Sequence, residues 1–218
     1  MESVLILAAL SVAFLNGAND NIKGFAAAWG SGLITYRRAV AFAALATFAG
    51  CVVSTLTGQA LIATFSGRGL VPTTTLGFPG FLAAAAGGAA LTLLLATRLG
   101  LPVSTTHALL GGLLGAGVAV DGVVRPAPLI ALFLAPLLLT PLVSVGLAFG
   151  ANRVGALTRA GSTGLSILSA CCICAARAVN DTPKVAALLA ATSVSGARGA
   201  ALVTVAMVAG GLLFSVRV

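Results

Sequence analysis

Apolar residues run in helix-length stretches along this chain, and what separates them is short and polar. Between the apolar runs Val4 to Leu15 and Gly24 to Leu33 sits Asn16-Gly17-Ala18-Asn19-Asp20-Asn21-Ile22-Lys23. One helix over residues 3–34 would measure about 48 Å, against about 30 Å for a hydrocarbon core. The pattern therefore predicts a break at 16–23, with two half-helices meeting near the membrane midplane. Tyr36, Arg37 and Arg38 read as an interfacial turn, and Ala39 to Phe65 as a crossing with Gln59 facing inward. Ser66 to Gly80, with Gly67, Gly69, Pro72, Pro79 and Gly80, reads as a loop. Phe81 to Thr97 crosses again. Ala108 to Val120 is short for a crossing, which predicts a re-entrant hairpin or a helix starting deep in the protein. Asp121 to Pro126 is a turn, Ala127 to Phe149 a span, and Ala151 to Ser162 a loop carrying Arg153 and Arg159. Gly164 to Ala176, a second polar segment and Val185 to Val194 then repeat the broken-helix pattern.

That second segment is Arg177-Ala178-Val179-Asn180-Asp181-Thr182-Pro183-Lys184, so Asn-Asp-x-x-Lys occurs twice. Setting Asn180 on Asn19 gives an offset of 161 residues, which also pairs Asp20 with Asp181, Lys23 with Lys184 and Ala26 with Ala187. The same offset pairs Arg37 with Arg198, Ala39 with Ala200 and Gly50 with Gly211. Charged and amide identities are not explained by shared apolar composition, so the chain reads as an internal duplication. Residues 1–160 form a first transmembrane repeat and 161–218 the opening part of a second, inverted one. Interrupted apolar segments in corresponding positions of two halves are a pointer to a transporter's midplane site.

Composition fixes the class. Hydrophobic residues make up 59% and charged residues 7%, and mean hydropathy is +1.14, which excludes a soluble domain. Twenty-seven glycines favour closely packed helices, and the strand alternation of a β-barrel is absent. The expected fold is an all-α polytopic transmembrane helix bundle with inverted repeats, broken helices and a re-entrant hairpin, multi-pass in the cell membrane and surrounded by lipid. The net charge of +8 is scattered singly between apolar runs, with no aromatic-basic patch for nucleic acid. The basic residues follow several successive segments and do not orient the bundle. Met-Glu-Ser-Val lacks the basic start of a signal peptide, so the first run reads as a mature helix. Cys171, Cys172 and Cys174 have no second ligand pair and read as packing residues, like Cys51.

An ionised group at mid-membrane costs about 2.5–3.5 kcal/mol on insertion scales, so Asp20 and Lys23 should face a cavity or each other. Carbonyls freed at a break and the carboxylates of Asp20 and Asp181 offer oxygens to a cation such as sodium, with Asn19 and Asn180 as further ligands. The plainer alternative is a kink in which Asp20 neutralises Lys23, and Asp181 neutralises Lys184, at i, i+3. Pro102-Val103-Ser104-Thr105-Thr106-His107 places three hydroxyls at a helix N-terminus, an anion cradle for a phosphate-like ion or ordinary capping. His107, the single histidine, is a candidate for proton coupling. One histidine and no nucleophile spacing or metal cluster argue against an enzyme.

With Gly17-Ala18-Asn19-Asp20, Pro102 to His107 and Asn180-Asp181 in hand, the chain resembles the inorganic phosphate transporter (PiT) family of secondary transporters. That resemblance implies inverted repeats holding inorganic phosphate, coupled to sodium or protons, and no further cofactor. It nominates Asn19, Asp20, Ser104, Thr105, Thr106, Asn180 and Asp181 for substrate and cation. Many members of the family carry an Asn three residues after the Asp, where Lys23 and Lys184 stand here. These ammonium groups are expected to replace bound cations or to neutralise phosphate, which points to proton-coupled or facilitative transport. The offset carries Pro102 to position 263, beyond Val218, so a longer protein or a partner chain is expected to supply the second cradle. Homodimerisation is a further implication of the resemblance. A sulfate permease of the same fold and a non-transporting membrane subunit are the alternatives. Phosphate carries a proton that a buried carboxylate can accept, which favours it over sulfate.

Overall fold

The computed structural model describes residues 1–78, 80–121, 123–158 and 162–215. Among the described residues the regular elements are helical. Helix α1 (Glu2–Asp20) tightens into a 3-10 segment (Asn21–Phe25) and continues as α2 (Ala26–Gly30). Then come α3 (Tyr36–Thr57), α4 (Gln59–Phe65), α5 (Thr73–Leu76), α6 (Phe81–Arg98) and α7 (Thr105–Asp121). Helix α8 (Pro126–Leu129) passes through a π segment (Ile130–Leu134) into α9 (Ala135–Thr158). Helix α10 (Thr163–Ala186) ends in a 3-10 turn (Ala187–Leu189), and α11 (Ala197–Phe214) follows. Six stretches are long and apolar enough to cross a membrane, which makes this a multi-pass membrane protein.

Helices α1 and α10 run antiparallel. Asp20, at the end of α1, is paired with Arg177, while Glu2 at its start accepts a hydrogen bond from the Ser193 N–H beyond the end of α10. Each of these helices packs against the crossing that follows the other. A Cβ on Gly17 of α1 would lie 1.9 Å from the Met207 carbonyl oxygen of α11, and one on Gly50 of α3 would lie 2.3 Å from that of Ala175 on α10. Only glycine allows backbones this close, the small-residue packing that serves where lipid offers no hydrophobic drive. Helices α6 and α7 form an antiparallel hairpin whose α7 begins inside the protein, with Thr105 buried. The core between these layers is aliphatic, with Ala9, Val12, Leu93, Leu109, Leu113, Leu188 and Val203 buried.

Helix α9 differs. Among the described residues its main packing is against the segment that leads into it, and 6% of the apolar window in Pro126–Gly155 is buried. Leu138, Leu142 and Leu147 are each at least 70% exposed, an apolar surface suited to lipid or protein within a bilayer.

Several sequence expectations shift. The interruption at 16–23 is a tightening over Asn21–Phe25, not two separated half-helices. The polar side chains there bond to other helices instead of to their own backbone, so the helical ladder persists. The second Asn-Asp segment lies within α10, which accommodates Pro183, and the change of winding falls later, at Ala187–Leu189. The crossing expected over Ala39 to Phe65 divides at Gly58, and Gln59 faces outward. The stretch 151–158 is helical, not loop, and Arg159 lies outside the described residues. The 66–80 connection contains α5, and Pro79 is likewise outside them.

Candidate functional site

A cavity of about 370 Å³ opens where the end of α1, the start of α7 and the middle of α10 meet. Asp20, Lys23, Pro102 to Thr106, Arg177, Asn180 and Asp181 line it. The two Asn-Asp segments and the hydroxyl run, far apart in sequence, thus share one space. Helix α7 points its N-terminus there and so presents the positive end of its dipole.

Asn19 fastens α1 to the α6–α7 turn. Its Nδ2 donates to the Leu101 carbonyl at 3.1 Å and to Thr97 Oγ1 at 3.3 Å, while its Oδ1 accepts from the Val103 N–H at 3.3 Å. One residue type supplying both donor and acceptor suits an asparagine. Thr105 belongs to the same seam, its hydroxyl donating to Asn16 Oδ1 at 2.8 Å. Ser104 accepts from the His107 N–H at 3.4 Å and so sits at the capping position of α7.

Cations surround the carboxylates. The Lys23 ammonium donates to Asp20 Oδ1 at 2.5 Å and to Asn19 Oδ1 at 2.7 Å. Arg177 pairs with Asp20 Oδ2, donates to the Asp20 carbonyl, and stands 3.8 Å from Asp181 Oδ2. Lys184 is buried; its ammonium bonds Thr106 Oγ1 at 2.6 Å and Asp181 Oδ1 at 3.2 Å, and lies 5.6 Å from the Phe65 ring centre. Asn180 Nδ2 approaches Asp181 Oδ1 at 3.4 Å. Two carboxylates face three cations, so the formal charge of the cluster is one positive. A cavity with hydroxyls, a helix N-terminus and net positive charge is built for a small oxyanion.

Behind it lies a pocket of about 10 Å³ lined by Asn16, Asn21, Thr47, Arg177, Asp20 and Asp181 among others. The Nδ2 groups of Asn16 and Asn21 are buried without partners, and Thr47 donates to Asn21 Oδ1.

His107 is not brought to this site. It is exposed and lines a separate groove between α6 and α7 with Ala84, Gly88 and Gly111. Arg177 was not singled out from the sequence as a site residue, although an arginine within an apolar helix is a functional candidate by default. The offset of 161 places it on Asn16, a second polar position that a count of identities passes over.

The architecture and the cavity together define a polytopic membrane protein with a polar, positively charged cavity between antiparallel helices. Comparison with known proteins gives the family: the profile of the phosphate transporter family matches residues 16–160, and the chain belongs to that family. It is 35% identical over 121 residues to a putative phosphate permease of Pyrococcus abyssi, covering 54% of this chain and 29% of that one. A probable low-affinity inorganic phosphate transporter of Streptomyces halstedii is 31% identical over 148 residues, 67% of each chain. A putative phosphate permease of Mycobacterium bovis is 36% identical over 123 residues, covering 53% of this chain and 22% of that one. The matched region thus spans less than a third of the Pyrococcus and Mycobacterium relatives. No solved structure matches the chain.

Proposed function

We propose that this chain binds inorganic phosphate in the cavity between α1, α7 and α10 and takes part in moving it across the membrane by alternating access. The observation that carries the reading is the meeting of Asp20, Asp181, Arg177 and the Ser104–Thr106 hydroxyls around one space. Ser104, Thr106 and Asn180 supply neutral polar contacts, Asn19 and Thr105 hold the wall in place through Leu101, Val103 and Asn16, and Arg177 with Lys23 and Lys184 supplies the charge. The carboxylates of Asp20 and Asp181 accept the protons of dihydrogen phosphate, which sulfate lacks. Helices α1 and α10, antiparallel and paired through Asp20 and Arg177, are the elements whose relative movement opens the cavity to either side.

Division into a first repeat over 1–160 and the start of an inverted second over 161–218 is part of this proposal. It is supported by helix starts that recur at the sequence offset, Glu2 with Thr163 and Tyr36 with Ala197. Coupling to sodium or protons, a homodimer, and a partner segment completing the second repeat belong to it as well.

The test is uptake of labelled phosphate into proteoliposomes, with unlabelled phosphate and sulfate as competitors. Uptake that phosphate suppresses, sulfate spares and Asp20→Asn abolishes is expected. Equal competition by sulfate would overturn the selectivity for phosphate that the two carboxylates are proposed to confer. Phosphate-independent behaviour, with no binding or uptake, would favour a non-transporting subunit.

A further inference from the structure

Oxygen-rich positions beside the cavity would receive a coupling cation such as sodium, and the four residues expected to supply them are Asn19, Asp20, Asn180 and Asp181. A hard cation needs several oxygens converging with free lone pairs. Here the convergence exists, but a side-chain cation already occupies it. The Lys23 ammonium lies between Asn19 Oδ1 and Asp20 Oδ1, at 2.7 and 2.5 Å. The Lys184 ammonium lies between Asp181 Oδ1 and Thr106 Oγ1, at 3.2 and 2.6 Å. Arg177 takes the other oxygen of Asp20 and its backbone carbonyl.

From this geometry we infer that Lys23 and Lys184 are tethered cations filling the coupling-ion positions, so that the anion binds here without sodium. The inference rests on the phosphate reading for the identity of the anion, but the exclusion of sodium stands on the lysine contacts themselves.

Electrostatics support it. A sodium ion placed among Lys23, Lys184 and Arg177 would meet three cations against two carboxylates, and both oxygens of Asp20, Asp181 Oδ1 and Asn19 Oδ1 already face side-chain cations, with Asp181 Oδ2 standing 3.8 Å from Arg177. Displacing an ammonium to admit it would leave a desolvated lysine without its carboxylate, and Lys184 is 4% exposed. Charge balance also needs no added cation. One excess positive charge is matched by singly charged dihydrogen phosphate.

The two lysines recur at the sequence offset and make equivalent i, i+3 pairs with Asp20 and Asp181. A lone lysine would read as a local neutraliser. The same substitution of ion by side chain on both antiparallel helices describes a sodium-independent design.

The experiment has two arms on the purified protein. In the first, saturable binding of radiolabelled sodium is measured without phosphate. None is expected for the wild type, whereas Lys23→Asn, and separately Lys184→Asn, should gain a site because an amide oxygen and a freed carboxylate replace the ammonium. In the second, the shift in melting temperature produced by inorganic phosphate is compared in sodium and in choline buffers. Equal shifts are expected for the wild type, and a shift in sodium only for the variants, with phosphate affinity in choline weakened by about tenfold or more. Saturable sodium binding by the wild type that Asp20→Asn removes would overturn the inference, as would a phosphate shift confined to sodium. Folded lysine variants with no sodium site would overturn the claim that the ammonium groups fill ion positions. Absence of any phosphate shift in either buffer would count against the phosphate reading alone, leaving the sodium arm to decide this one.

Discussion

Arg177 on α10 holds Asp20 on α1 at both the carboxylate and the backbone carbonyl, across 157 residues of sequence. This contact joins the two polar segments directly and sits on the wall of both the large cavity and the small pocket behind it. A guanidinium suits this because its rigid planar fork aims separate N–H groups at the carboxylate and the carbonyl in one fixed geometry, which the point charge of an ammonium does not reproduce. Arg177→Met should therefore cost about 2–3 kcal/mol of stability, below the full value for a buried pair because the arginine keeps some contact with solvent. Arg177→Lys should recover charge but not the two-point hold, giving intermediate stability and weakened phosphate binding. Thermal unfolding with and without phosphate reads both effects. A Met variant as stable as the wild type would mean that Lys23 alone satisfies Asp20.

Thr105 is buried, and its hydroxyl is the donor that Asn16 Oδ1 receives. Thr105→Val keeps shape but removes that donor, leaving an asparagine whose amide nitrogen is already unpartnered with no partner at either end. The expected loss is about 1–3 kcal/mol, the cost of a stranded buried polar group. Thr105→Ser should retain most of the stability. Parallel loss in both variants would assign the effect to the methyl group instead.

Much of the fold was legible because each crossing announces itself by apolar length, and the motif pair by its identical Asn-Asp-x-x-Lys spacing. The helix starts at Glu2 and Thr163, and at Tyr36 and Ala197, recur at the offset taken from the motifs. Residues of the cavity were legible where polarity within an apolar run is costly, as at Asp20 and Asp181. What escaped was orientation. His107 and Thr106 are neighbours in sequence, yet about 100° apart around a helix, so one faces the groove with Gly111 while the other meets Lys184. Gln59 is polar but exposed, since its direction depends on the division of the crossing at Gly58. The winding near 16–23 was misjudged for another reason. Asparagines favour breaks when they bond to their own backbone, and Asn16, Asn19 and Asn21 instead bond to threonines on three other helices.

Close backbone contact between α1 and α11 makes a sharp prediction about glycines. A methyl group on Gly17 would meet the Met207 carbonyl oxygen at 1.9 Å, and backbone cannot swing aside as a side-chain tip can. Gly17→Ala should separate the helices at a cost of about 1–3 kcal/mol or more. At Gly87 on α6 an added methyl meets nothing within 4 Å. Gly87→Ala should be neutral or stabilising by up to about 1 kcal/mol through helix propensity. Melting temperatures of the two variants should therefore move in opposite directions or differ clearly. Equal tolerance of both would mean that α1 and α11 are not in backbone contact.

The small pocket calls for a specific occupant. Its volume of about 10 Å³ is near the minimum that admits one water molecule. Asn16 and Asn21 in its wall have buried Nδ2 groups without partners, which calls for an occupant that accepts hydrogen bonds, while Asp20 and Asp181 in the same wall ask for a donor and repel an anion. The Arg177 guanidinium, also in the wall, repels a cation. Water alone among small species meets all three demands. An experimental structure that resolves ordered solvent should show a single water within about 2.7–3.2 Å of both amide nitrogens and of one carboxylate. Density with metal-like coordination, replaced by a heavier monovalent cation on soaking, would show instead that the amides present their oxygens and that the pocket is an ion site. Finding the two amides bonded directly to other protein groups, with the pocket closed, would leave no role for a ligand there.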